Sequence, residues 1–177
     1  MVVRLIVMGV LMISVAGCGH TPAPTPPPAA KPSDDRCPEG TKLVGEPPPK
    51  GDQQACLKPD CTKHGKATYW HDNGQKSSEG EYKDGKAHGK WTTWHENGQK
   101  KLEGKWRGGR QHGKWTEWHL YGQKKAEGEY KDDKRHGKWT VWHENGQKKM
   151  ESEHRKGQGH GKWTCWDKAG KEITCPE

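Results

Sequence analysis

The chain has 177 residues, 28% of them hydrophobic, and a formal net charge of +8 from 31 Lys and Arg against 23 Asp and Glu. Ten Trp and four Tyr stand beside no Phe, and after the first eighteen residues only seven Leu, Ile or Val remain. So little aliphatic surface excludes a large aliphatic core, an α/β enzyme domain of ordinary composition and a multi-span membrane protein; it leaves disorder or an aromatic core.

Residues 1–17 place Arg4 before the apolar run Leu5 to Val15 and end in Ala16-Gly17. The run is too short for a comfortable membrane span and reads as a cleaved export signal. Val15-Ala16-Gly17-Cys18 resembles the lipobox of bacterial lipoproteins. That resemblance implies lipidation of Cys18 and anchoring in a bacterial cell envelope, with Gly19 directing the expectation to the outer membrane. Residues 18–36 then carry six Pro between Pro22 and Pro32, the composition of a disordered polyproline-type stalk or a plain solvated linker.

Residues 37–63 form a small Cys-containing cap segment. Cys37 and Cys56 bracket a Gly- and Pro-rich loop with little to bury, so a bridge closing it is the first expectation. Cys165 and Cys175 flank a hairpin near the C-terminus and form the second. Cys61 is then left over, with a Cys56–Cys61 pairing as the alternative. No CxxC pair or Cys/His cluster has the spacing of a zinc site.

From His64 to Glu177 the sequence repeats every 24 residues, with units starting at 64, 88, 112, 136 and 160, each opening His-Gly-Lys. Such strict register marks a repeat architecture. Within a unit, Lys90 to His95 and Lys100 to Trp106 read as strands, joined by Asn97-Gly98, a type I′ hairpin signal. Asp84-Gly85 or Gly108-Gly109, followed by His-Gly, makes the return turn. Each unit is therefore two short antiparallel strands and two turns, and the fold class is all-β: an elongated antiparallel sheet of tandem two-stranded repeats.

Trp70, Trp94, Trp118, Trp142 and Trp166 occupy one column; Trp91, Trp115, Trp139 and Trp163 occupy another, with Ala67 in the first unit. Three residues apart, the columns point to opposite faces of a regular strand. Tyr82, Trp106, Tyr130 and His154 form a third column on the second strand. One Trp column is expected to stack with it as a spine, and the other to lie partly exposed unless a bulge turns it.

The run Gly80 to Trp91, repeated as Gly128 to Trp139, resembles the MORN repeat pattern, and with its Asn-Gly-Gln turns it is closest to the bacterial variant grouped with YwqK-type antitoxin proteins. The resemblance covers residues 64–177. It implies an elongated antiparallel sheet used for protein or lipid contacts, with a catalogued antitoxin role. Leu120-Tyr121 replaces the usual acidic-Asn pair and His154 the usual aromatic.

The His residues recur about 10 Å apart, two strand spacings, too far to share one metal ion. No nucleophile elbow or phosphate-cradling loop is present, so no metal, cofactor or enzymatic activity is expected. What remains is a basic sheet, with 24 Lys and Arg against 17 Asp and Glu in residues 64–177. The leading expectation is a non-enzymatic, envelope-anchored lipoprotein whose repeat scaffold binds a protein partner or an envelope component. Trp94, Trp118 and Trp142 are its candidate contact residues. The rivals are an antitoxin or immunity protein and a polysaccharide- or anionic-lipid-binding module; export makes nucleic acid an unexpected partner.

Overall fold

The computed structural model describes residues 37–176. The segments expected to form an export signal and a Pro-rich stalk, and Cys18, the expected lipidation site, lie outside them. Twelve strands follow one another: β1 (Lys42–Glu46), β2 (Gln53–Leu57), β3 (Lys63–Trp70), β4 (Lys76–Lys83), β5 (Lys86–Trp94), β6 (Lys100–Arg107), β7 (Arg110–Trp118), β8 (Lys124–Lys131), β9 (Lys134–Trp142), β10 (Lys148–Arg155), β11 (Gln158–Trp166) and β12 (Glu172–Ile173). Each pairs antiparallel with the next in one open sheet ordered β1 to β12. At ordinary strand spacing the sheet is roughly 50 Å across.

The cap segment departs from the loop expected of it. It forms the hairpin β1–β2, and β2 pairs with β3 so that Ala55 lies opposite Ala67. The first repeat strand would otherwise present a row of open backbone donors and acceptors, and β2 satisfies them. Cys56 bonds to Cys37 and is 1% exposed. With Ala67 in place of a Trp and Pro38 crowding Gly65, this end is closed by small side chains and a disulfide. The Cys165–Cys175 bridge closes the other end. Cys61 sits in the β2–β3 turn at φ 63° and is not the unpartnered cysteine that the count suggests.

The type I′ turns lie at the other end of the strands from the Asn-Gly turns to which the sequence reading assigned them. At the Asn-Gly turns the amide of Gly98 donates to the carbonyl of His95 (2.9 Å) and that of His95 to Gln99 (2.8 Å), and Gly98 alone has positive φ. This is a three-residue connection, a turn followed by a left-handed Gly, not a two-residue type I′ turn. The type I′ geometry occurs at the opposite ends, where both central residues have positive φ: Asp84-Gly85, Gly108-Gly109, Asp132-Asp133 and Lys156-Gly157.

His88-Gly89 is not part of that return turn. It lies inside β5, where Glu79 pairs with Thr92 but Glu81 pairs with His88, so one residue of β4 faces three of β5. Gly89 takes φ +69° in this bulge, and the irregularity recurs between β6 and β7, between β8 and β9, and between β10 and β11.

The bulge brings the Trp91 column across the preceding strand. A Cβ on Gly80, Gly104 or Gly128 would stand 2.1–2.3 Å from the ring of Trp91, Trp115 or Trp139, so each indole rests on a glycine. These rings meet the third column edge-on. Tyr82 and Trp91 are 5.3 Å apart at 87°, Trp106 and Trp115 5.4 Å at 82°, and Tyr130 and Trp139 5.0 Å at 80°. Trp115 and Trp139 are 3% and 5% exposed. This column is the spine.

His154 takes the aromatic place in the fourth unit, 6.4 Å from Trp139 and 6.0 Å from Trp163. There Ser152 stands where the other units have Gly, hydrogen-bonded to His154 at 3.1 Å, and Trp163 is 44% exposed. The spine ends where its glycine seat and its outer partner strand are both missing.

Candidate interaction face

The Trp94 column lies on the other side of the sheet. Alternation along β5 puts Trp91 and Thr93 on the spine face and Thr92 and Trp94 on the opposite one. Trp94 is paired across the sheet with Lys100, and Trp118 with Lys124. Lys100 also reaches the following indole, its ammonium 5.6 Å from the ring centre of Trp118; Lys124 does the same to Trp142 at 5.6 Å and Lys148 to Trp166 at 5.7 Å. Trp and Lys thus alternate strand by strand, and Trp94, Trp118 and Trp142, the three candidate contact residues, all sit half-buried in this ladder.

Beside the ladder runs a row of buried threonines, Thr68, Thr92, Thr116 and Thr140, each paired with a glutamate of the next strand. Every such glutamate is held by two lysines. Glu103 meets Lys100 at 2.7 Å and Lys90 at 3.1 Å; Glu127 meets Lys124 at 2.8 Å and Lys114 at 3.1 Å; Glu151 meets Lys148 at 2.8 Å and Lys138 at 2.9 Å. Hydrogen bonding from Lys100 to Glu103, and from Lys148 to Glu151, holds those carboxyls below the usual carboxylate range. At Glu79 and Glu127 partial burial pulls upward, and the flanking lysines outweigh it, so both also end low.

Both edges of the face are stitched from repeat to repeat. Nε2 of His71, His95, His119 and His143 donates to the carbonyl of Trp94, Trp118, Trp142 and Trp166 at 2.9–3.3 Å. Asn73, Asn97 and Asn145 donate from Nδ2 to the carbonyls of Glu96, Leu120 and Lys168 at 2.7–2.8 Å. Tyr121, 76% exposed, cannot repeat the Asn contact in the third unit. At the opposite edge the turn amides of Gly85, Gly109, Asp133 and Gly157 donate to Lys63, Ala87, Gln111 and Arg135 of the preceding unit. The histidines are thereby used in holding one repeat to the next, a role for which their 24-residue recurrence was the available signal in the sequence.

Of the other candidates, Cys37, Cys56, Cys165 and Cys175 pair as expected. The Lys–Glu–Lys clamp is an arrangement that the sequence reading does not assemble. It was legible only as charge, because Lys100 and Glu103 reach one face through the bulge at Lys101, which sequence does not mark.

The geometry defines a class: a single-layer antiparallel β-repeat protein with a structural aromatic face and a mixed Trp, Lys and Glu face. Residues 63–84, 87–107, 111–132 and 135–156 match the MORN repeat variant family, and the repeat domain belongs to it. The fifth unit, from residue 160, is outside the matched segments yet continues the sheet as β11 and β12. A comparison with curated proteins returned no match.

Proposed function

We propose that this protein is a non-enzymatic scaffold, lipid-anchored through Cys18 in the bacterial envelope, whose repeat sheet binds a protein or envelope component through the face bearing Trp94, Trp118 and Trp142. The observation that carries this reading is the division between the two Trp columns. One is consumed in the spine, whereas the other stays half-exposed and interleaved with Lys in a repeating row. Aromatic and cationic groups at fixed spacing on a rigid sheet are what an extended contact surface requires. The antitoxin reading rests on the family resemblance alone and takes second place.

The test compares wild-type and Trp94→Ala/Trp118→Ala/Trp142→Ala protein in capture from envelope extracts. Loss of specific capture by the folded triple variant is expected, and unchanged capture would sink the contact-face reading. For the anchor, Cys18→Ser should release the protein from membranes; continued retention would contradict it.

A further inference from the structure

The contact face is a series of like rungs. Around Trp94 a shallow depression is lined by Lys66, Glu79, Lys90, Thr92, Lys100 and Glu103. Around Trp118 the same depression recurs one repeat on, lined by Lys90, Glu103, Lys114, Thr116, Lys124 and Glu127. Neighbouring rungs share Lys90 and Glu103, so the site is continuous along the sheet and crosses the strands.

Charge decides what kind of chain fits. Lys66, Lys114 and Lys138 lie opposite Glu81, Glu129 and Glu153, and the middle glutamates are already clamped by lysines, so these rungs are close to neutral. Only the second rung differs, because Lys105 stands opposite Lys90. On these rungs the positive charge of the domain is not concentrated; on the same face it gathers at the end of the strands, where Lys83 stands opposite Lys86, Arg107 opposite Arg110 and Lys131 opposite Lys134. A polyanion calls for a row of uncompensated cations, and the rungs around the indoles offer instead paired donors and acceptors beside a flat ring, the equipment for a polyhydroxylated chain.

Spacing narrows the class. Successive indoles are two strands apart, about 10 Å, close to the disaccharide repeat of a β-1,4-linked glycan. Resting on the contact-face reading above, we propose that this face binds a β-1,4-linked glycan laid across the strands, one disaccharide per repeat. Trp94, Trp118 and Trp142 stack on alternate sugars, and the Lys–Glu pairs hydrogen-bond their hydroxyls. The Lys90–Lys105 rung accepts a sugar carrying a carboxylate. A sugar arriving on Trp118 displaces the Lys100 ammonium, which keeps its bond to Glu103. Because the rungs act in series, each added disaccharide binds at high effective concentration.

The experiment is calorimetric titration of the full chain with β-1,4-linked N-acetylglucosamine oligomers from the disaccharide to the hexasaccharide, with α-1,4-linked glucose oligomers and anionic phospholipid vesicles as controls. Affinity should climb several-fold with each disaccharide and change little with salt. Trp118→Ala should weaken hexasaccharide binding about tenfold, Trp118→Tyr should weaken it less, and Trp163→Ala, on the spine face, should leave it unchanged; circular dichroism checks that each variant is folded. Absence of β-1,4 binding, equal binding of α-linked chains, no length dependence, or Trp118-dependent binding of vesicles alone would overturn the glycan assignment. If glycans fail while the triple variant still loses envelope capture, the contact face stands and only its occupant is wrong; if capture too is unchanged, both fall.

Discussion

At the scale of single residues, glycine and glutamate do more to shape this protein than their abundance suggests. Gly104 is the seat of Trp115, and an added Cβ would meet the indole 2.1 Å away. Gly104→Ala should therefore cost about 1–3 kcal/mol by overpacking, read as a lowered denaturant midpoint. The fourth unit carries its own version of this substitution, Ser152, and Trp163 of the fifth unit, the indole in line with that seat, is the exposed one. The clamped glutamates make a pH prediction. Their folded carboxyls titrate below the ordinary value of 4.5, so the stability they contribute is present above that pH and is lost as pH falls through their lower folded values. Glu103→Gln should flatten the fall in unfolding free energy below about pH 4.5; an unchanged acid limb would show that the clamps contribute nothing. His154 works in the same direction at higher pH. Burial and the Arg135 charge hold it below its ordinary 6.5 despite Glu153, so its protonation on acidification opposes folding.

At the scale of strands and turns, the 24-residue meander and the Cys37–Cys56 and Cys165–Cys175 disulfides were legible in the sequence, because periodicity, Gly-marked turns and cysteine placement carry that information directly. The turn assignment was not. Asn-Gly is shared by type I′ turns and by turns closed with a left-handed Gly, and only the His-to-Gln closure around it tells them apart. Nor was the N-terminal hairpin: Pro47, Pro48 and Pro49 mask the short alternating strands on either side. Strand parity placed the two Trp columns on opposite faces but did not say which is core. The interior glycines Gly80, Gly104 and Gly128 answer that, since Gly within a strand marks a close approach. Two turn positions depart from their neighbours and can be repaired. Lys156 holds φ 54° at the first type I′ position, so Lys156→Asn should stabilise by about 0.5–1 kcal/mol, seen as a raised thermal midpoint. Tyr121→Asn should supply the missing donor to the following turn and add about 1 kcal/mol; an amide side-chain resonance with unchanged exchange would show that the bond does not form.

At the scale of the whole molecule, each repeat touches only the next, through strand pairing, the histidine and asparagine stitches and the stacked turn amides. Stability in such an array accumulates from unit to unit and is lowest where the pattern stops. One end is closed by β1–β2 and the Cys37–Cys56 bridge, the other by two residues of β12 and the Cys165–Cys175 bridge. Between them the sheet has one face that builds the fold and one left for contact. That division is tested most directly by comparing the denaturant unfolding of Trp115→Ala with that of Trp118→Ala, two indoles three residues apart on opposite faces. Trp115, 3% exposed on its glycine seat, should cost about 3–5 kcal/mol. Trp118, half-buried beneath a lysine, should cost about 1 kcal/mol or less. Equal losses, or a larger loss at Trp118, would contradict the account.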